Sequence, residues 1–309
     1  MQVFRGARAT LGDPLVLTIG NFDGVHVGHQ AMLARMRDMS QKLAWTAAVL
    51  TFEPHPREFF SPNTAPARLT TLREKLECLA HYGVRRTHVV RFDCEFAAMS
   101  PDDFVTRILV ENLNVRWLLI GDDFRYGAQR TGDYAHLARA ADRFGFQLES
   151  MESVSVAGER VSSTRVREAL AYGDFAQVEL LLGRAYTIEG RVTHGEKLGR
   201  QLGFPTANIP LKRTRAPLTG IYAVKLHGVG SSPLPAVASL GVRPTVMAGA
   251  APMLEVHVLD FNADIYGRRV RVEFLHKLRD EEKYPDLETL RRQIERDVEH
   301  ARQLLKSDP

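Results

Sequence analysis

The sequence predicts an α/β protein in two parts: a parallel sheet wrapped by helices, then a small antiparallel β-barrel closed by a terminal helix. Three observations lead there. Up to about residue 182, apolar strand-like runs alternate with amphipathic helical patterns. Beyond that point, short period-two segments follow one another, separated by Gly, Pro and Asn. Only at the end does a long helical stripe return. At 309 residues the chain exceeds most single domains, so two are expected, spanning 1–183 and 184–309.

The first strand is "PLVLTIG", and its helix carries Met32, Met36, Met39 and Leu43 on one face, a core stripe. "WTAAVLTF" is the next strand. "TLREKLECLAHYG" is a helix with Thr71 and Glu74 at capping-box spacing and Gly83 as its stop. "THVVRF" is a strand, and "SPDDFVTRILVENL" a helix capped by Ser100 with Pro101 at its first position. "RWLLIG" and "DYAHLARAADRFG" complete the alternation. Right-handed crossovers then cover both faces of a parallel sheet, and ligands bind beyond the carboxyl ends of its strands. In the second half, "YTIEGRVTHG", "GIYAVKLHG", "PAVASLGV", "PMLEVHVLDF" and "RRVRVEFLHKL" read as barrel strands. The closing helix, "DLETLRRQIERDVEHARQLL", places Leu287, Leu290, Ile294 and Val298 in one stripe.

Apolar content of 44% and charged content of 25% are those of a globular protein with a sizeable core. No stretch approaches the roughly 18–20 apolar residues of a membrane span, and the opening residues do not read as a secretory signal. Cys78 and Cys94 both sit in apolar sequence and are expected to be reduced, near-core residues of a cytoplasmic protein. The net charge of +4 suits phosphate-bearing ligands, but the basic residues are scattered, which argues against nucleic acid as a partner. Nothing in the sequence indicates an oligomeric state.

Two stretches carry chemistry. In "GNFDGVHVGH" (19 residues into the chain at Gly20), His26 and His29 stand three apart where a strand hands over to a helix. They could coordinate a metal, pack in the core, or bind phosphate. No Cys or His cluster accompanies them, and glycines beside Asp23 suit an open loop. Polyphosphate binding is the preferred reading, since a helix N-terminus offers free N–H groups and positive potential. In "VTHGEKLGRQLGFPTANIP", Gly195, Gly199 and Gly203 surround Arg200 without forming a Walker loop. Thr206 and Asn208 are two apart, so an extended chain would offer both oxygens to one Mg²⁺; a plain Asx turn is the alternative. In "MLEVHVLDF", Leu254, Val256 and Val258 share one face while Glu255 and His257 take the other. Glu255 is either a general base or merely an exposed carboxylate.

"HVGH" matches the H-x-G-H motif of nucleotidylyltransferases. With "TFEPHP", "GDDFRYG", "VSSTRVR" and "GFPTAN" in order, the chain resembles the prokaryotic bifunctional riboflavin kinase/FMN adenylyltransferases, or FAD synthetases, over nearly its whole length. The resemblance implies a Rossmann-like nucleotidylyltransferase sheet and a riboflavin kinase barrel. Riboflavin, FMN, FAD and ATP are then the substrates and products, with Mg²⁺. It implies that Gly20, Asn21, His26 and His29 hold ATP phosphates, joined by Asp123, where many members carry Asn. Ser162, Ser163, Thr164 and Arg165 open another anion-binding helix, with a simple helix cap as the coexisting alternative. Phe52, Pro54 and His55 would take FMN unless they form only a rigid turn. In the kinase half, the glycines with Arg200 and Thr206 would hold ATP, Thr206 and Asn208 the metal, and Glu255 would be the base. Arg279 and Glu281 would close the flavin pocket, or else form a surface ion pair. Ser239, Val246 and Tyr284 depart from common family residues and concern the pocket lining. Rival readings are an adenylyltransferase for another substrate, which needs no attached barrel, and a flavin-binding regulator, which would not need the six residues His26, His29, Arg165, Thr206, Asn208 and Glu255.

Overall fold

A computed structural model describes residues 1–7, 12–195, 198–241 and 252–307. By proximity the chain divides into two compact units, one of 1–66 and 72–162, the other of 67–71 and 163–309. The helices Ser163–Tyr172 and Phe175–Leu182 thus group with the barrel, one helix pair earlier than the sequence boundary at 183.

The first unit is built on six parallel strands, β1 (Gln2–Arg5), β2 (Leu15–Ile19), β3 (Thr46–Glu53), β4 (Arg86–Arg91), β5 (Val115–Gly121) and β6 (Gln147–Met151). Their order is β1-β4-β3-β2-β5-β6. Side-chain parity divides the core into two layers. Leu15, Leu17, Ile19, Ala48, Leu50, Leu118 and Ile120 pack beneath the helices that carry Leu109 and Leu137. Val16, Ala47, Val49, Trp117 and Leu119 pack on the other face with Leu33, Met36, Met39 and Leu79. Met32 and Leu43 join that layer, so the Met stripe is core. Ser100 caps its helix as expected, its hydroxyl accepting the Asp103 N–H at 3.0 Å. After Pro101–Asp103 that helix continues over Phe104–Asn112 in the wider π winding.

Two strands of this sheet are not evident in the sequence. Both β1 and β6 are edge strands with mostly polar or exposed residues, so neither shows the apolar run of a buried parallel strand. Cys94 also differs from expectation: Asp93 caps the short helix Cys94–Ala97, which places the thiol in an exposed first turn. Cys78 is half-buried against the core, and neither cysteine forms a disulfide.

The second unit is an antiparallel barrel of β9 (Tyr186–Arg191), β10 (Ala207–Pro210), β11 (Gly220–His227), β12 (Leu234–Gly241), β13 (Met253–Val258) and β14 (Arg269–Arg279); β7 and β8 (Ser155–Val156 and Glu159–Arg160) form a separate hairpin in the first unit. The order β10-β13-β12-β11-β14-β9 is brought almost to closure by a bridge in which Thr193 N–H donates to the Asn208 carbonyl at 2.8 Å. β10 was expected only as extended chain, being four residues long and ending in proline. The helix Leu287–Ser307 covers β11 and β12, its Val298, Ala301 and Leu305 packing with Ile221, Ala223 and Val237. Leu287 stands exposed instead of joining that stripe. The buried face turns to include Asp297, which Arg279 grips through Nε and Nη2 at 2.7–3.1 Å. Val246 lies outside the described residues.

His88, buried in β4, stacks on Phe4 with its Nδ1 3.3 Å from the Gly6 carbonyl. Burial, assisted by the Arg86 charge and opposed by the Gly6 bond, holds its pKa below the usual imidazole value. The unfolded chain therefore binds this proton more readily. The stability that neutral His88 supplies is complete above about pH 6.5 and is lost as pH falls through the folded value. His88→Phe is expected to shrink the fall in Tm between about pH 7 and pH 5. Thermal melts across that range check it, and an unchanged pH slope contradicts it.

Candidate active sites

In the first unit the strand order reverses between β2 and β5, which are neighbours and parallel. The turns after Ile19 and Gly121 therefore open side by side, the place where a doubly wound sheet binds its ligand. A cavity of about 1300 Å³ sits there, reached by Gly20, Asn21 and His29 from one side and Asp123 and Phe124 from the other. The leading turn is tight: Phe22, Gly24 and Val25 all have positive φ, at 49°, 82° and 44°. Left-handed backbone at a β-branched residue costs on the order of 1–3 kcal/mol and collects at functional sites. The turn delivers the chain into the helix Val27–Leu43 with His26 as cap, its Nδ1 accepting the His29 N–H at 3.3 Å.

The two imidazoles stack, with centroids 3.6 Å apart. His29 also lies against the buried Phe22 ring at 5.0 Å, and its Nδ1 is buried with no hydrogen-bond partner. Burial first, then His26 and Lys75, push its pKa well down, so the ring is neutral and one nitrogen remains to be satisfied. Lys75 reaches Thr51 Oγ1 at 3.4 Å from the helix Leu72–His81 and is itself buried. The sequence does carry its signal: a lysine on the apolar stripe between Leu72 and Leu79.

Asp123 follows β5 and takes an ion pair from Arg160 at 2.7 Å, a residue of the β8 strand that the sequence reading missed. Phe52 stands one residue before the end of β3 and forms part of the cavity wall. His55 does something else. Its Nδ1 accepts the Arg57 N–H at 3.1 Å and Glu58 returns a bond to its backbone, so it caps the helix Pro56–Phe60. Pro54 follows a cis peptide bond, and from this segment Phe52 and Pro56, not Pro54 or His55, line the cavity. Part of the remaining wall is aromatic: Phe59, Phe92, Phe96, Phe124 and Tyr126 come from separate segments. Ser162 ends the first unit, while Ser163, Thr164 and Arg165 open the helix Ser163–Tyr172 in the second.

In the barrel, register assembles the site. Asn208 of β10 pairs directly with Glu255 of β13, and Glu255 pairs with Ser239 of β12. Directly opposed residues in such a ladder have Cβ atoms about 5 Å apart. The Asn208 Oδ1 is buried without a partner, and its Nδ2 donates to the Thr206 carbonyl at 3.4 Å. Gly195 makes room: a Cβ there would lie 2.5–2.7 Å from the Asn208 carboxamide, and one on Gly199 2.5 Å from the Phe204 carbonyl. Gly203 turns at φ 90°, its N–H donating to the carbonyl of exposed Arg200 at 3.2 Å. Ser239 reaches Glu281 at 3.4 Å, which places that carboxylate on the same row. Arg279 is committed elsewhere, with its donors on Asp297 and the Asp280 carbonyl, beside the Tyr284 ring.

Residues 10–165 match the family model for FAD synthetase, and residues 182–305 the model for riboflavin kinase. A bifunctional riboflavin kinase/FMN adenylyltransferase of Escherichia coli K12 is 49% identical over 306 residues, 98% of this chain and 97% of that one. The corresponding protein of Pseudomonas fluorescens is 50% identical over 289 residues, 94% of this chain and 92% of its own. A crystal structure described as a macrolide-efflux protein from Streptococcus pneumoniae superposes with a TM-score of 0.80 at 27% identity, over 97% of this chain and 98% of the other. No helix among the described residues is long and apolar enough to cross a membrane. With both models matched in order and about half of all residues shared end to end, the chain belongs to the bifunctional riboflavin kinase/FMN adenylyltransferase family.

Proposed function

We infer that this enzyme phosphorylates riboflavin to FMN with ATP, then transfers an adenylyl group from a second ATP to FMN, giving FAD and pyrophosphate. The observation that carries this is the full-length family match with both sites built: paired histidines at the sheet's switch point and an Asn–Glu pair across the barrel.

In the first unit, FMN lies along the aromatic wall of Phe52, Phe92, Phe96 and Phe124, and its phosphate is the nucleophile. An oxygen of that phosphate bonds to the α-phosphorus of ATP as the bond to pyrophosphate breaks. The nucleophile is already anionic, so no strong base is needed, and the protein supplies alignment and charge. Asn21, His26 and His29 take the phosphate chain at the helix N-terminus. Asp123, with Arg160 paired to it, faces the nucleotide from the β5 side.

In the barrel, Glu255 takes the proton of the ribityl 5′-hydroxyl as that oxygen bonds to the γ-phosphorus of ATP and ADP leaves. Gly195, Gly199, Gly203 and Arg200 cradle the nucleotide. The unpartnered, buried Oδ1 of Asn208 suits a hard cation, and magnesium commonly takes one or two protein oxygens beside substrate phosphates. Thr206 and Asn208 would hold Mg²⁺, which when bound neutralises phosphate charge. Two cysteines that form no disulfide support work in a reducing cytoplasm.

The two activities are expected to separate by mutation. Glu255→Gln abolishes FMN formation from riboflavin while supplied FMN is still converted to FAD. His29→Ala does the reverse, with FAD formation falling about 100- to 1,000-fold. Chromatography of the flavin products reads both outcomes, and a folded His29→Ala variant with near-normal FAD synthesis contradicts the assignment.

Neutral His29 makes a further expectation. The ATP phosphates raise its pKa, so nucleotide binding near pH 6 draws in a proton. Calorimetry in buffers of different ionisation enthalpy detects this uptake, and His29→Gln removes its share. Equal uptake in both proteins contradicts phosphate contact by His29.

A further inference from the structure

We propose that His257 is a positioning residue of the kinase site, its Nδ1–H clamping the Pro205 carbonyl and so fixing the loop that presents Thr206 and Asn208. The proposal rests on the kinase reading of the barrel for its effect on turnover, though the clamp itself does not.

His257 stands on β13 two residues beyond Glu255, on the same face, half-buried. The β10–β13 pairing runs from Asn208 opposite Glu255 to Ala207 opposite Val256 and stops there. Thr206 and Pro205 lie just past that last rung, where the ladder no longer holds the chain. At this point the His257 Nδ1 is 2.9 Å from the Pro205 carbonyl oxygen. A carbonyl only accepts, so Nδ1 carries the proton in this bond. Pro205 has no N–H to give, which makes its carbonyl the handle through which the segment can be tied.

The surroundings favour this partner. The Phe204 ring meets the imidazole edge-on, with centroids 5.4 Å apart, and fixes its plane. Asp260, the carboxylate just beyond β13, is taken by Arg302 at 2.5 and 2.7 Å. On the far side of the loop, the Phe204 N–H is bound to the Gly199 carbonyl at 2.7 Å. The segment 204–206 is thus tied to the glycine-rich turn at one end and to the strand bearing the base at the other. One strand thereby sets both the proton acceptor and the loop that faces the phosphates.

The test compares His257→Leu with His257→Asn, whose amide nitrogen can replace Nδ1 as donor, in the full chain. Hydrogen exchange of the 203–208 amides is followed without ligand, with ADP affinity in magnesium by calorimetry and kinase KM and kcat. One lost hydrogen bond corresponds to about a tenfold effect. His257→Leu is expected to exchange faster in this segment by about that factor, with KM for ATP raised similarly and kcat changed less. His257→Asn is expected to recover both to within about threefold. Conversion of supplied FMN to FAD reports that the first unit is folded. If His257→Leu does not fold, His257→Asn against the wild type carries the test: near-native exchange and KM support the clamp, and a tenfold defect overturns it. Unchanged exchange in folded His257→Leu, or an Asn variant as impaired as Leu, also overturns it. If the segment loosens as expected while the wild type makes no FMN from riboflavin, the clamp stands and the kinase reading falls.

Discussion

The kinase half turns on Asn208, which the fold uses twice. Its carbonyl accepts the Thr193 N–H that brings β9 to β10 and nearly closes the barrel, while its side-chain oxygen stays buried and unsatisfied. A buried polar atom without a partner costs on the order of 1–3 kcal/mol, a cost that ligation would relieve. Because the same residue faces Glu255 in the ladder, barrel closure and the relation between the loop and Glu255 are one geometric fact. A slip of one residue in β10 would turn Asn208 to the opposite face and lose both.

The sheet unit reaches a comparable result by different means. A parallel sheet cannot offer open faces, since helices cover both, so its chemistry is confined to the strand ends. There the left-handed turn Phe22–Val25 converts a buried strand into a helix within a few residues and stacks His26 on His29, which lines the cavity. Burial keeps His29 neutral, which avoids an uncompensated charge in the turn.

What the sequence disclosed follows from how each feature is encoded. The alternating strands, the Met32–Leu43 core stripe, the histidine turn and the Thr206–Asn208 pair are contiguous, so periodicity and spacing reveal them. The aromatic wall of the cavity is not: Phe92, Phe96, Phe124 and Tyr126 come together only when separate strand ends are aligned by the sheet. Arg160 finds Asp123 across a two-residue hairpin too short to read as strands. His55 and Arg279 illustrate a different limit. Residue type fits a ligand role in each, yet a helix start claims one and Asp297 the other, and only coordinates reveal such competing partners. Edge strands β1 and β6 were hidden because exposure removes the apolar run on which strand recognition depends.

The central claim is that two separate sites on one chain act in sequence on the same flavin. It is tested most directly by a time course of the wild-type protein with riboflavin, excess ATP and magnesium, its flavins separated by chromatography. The account predicts that FMN appears first and FAD follows from it. Riboflavin left unphosphorylated, or FMN accumulating with no FAD, would contradict it.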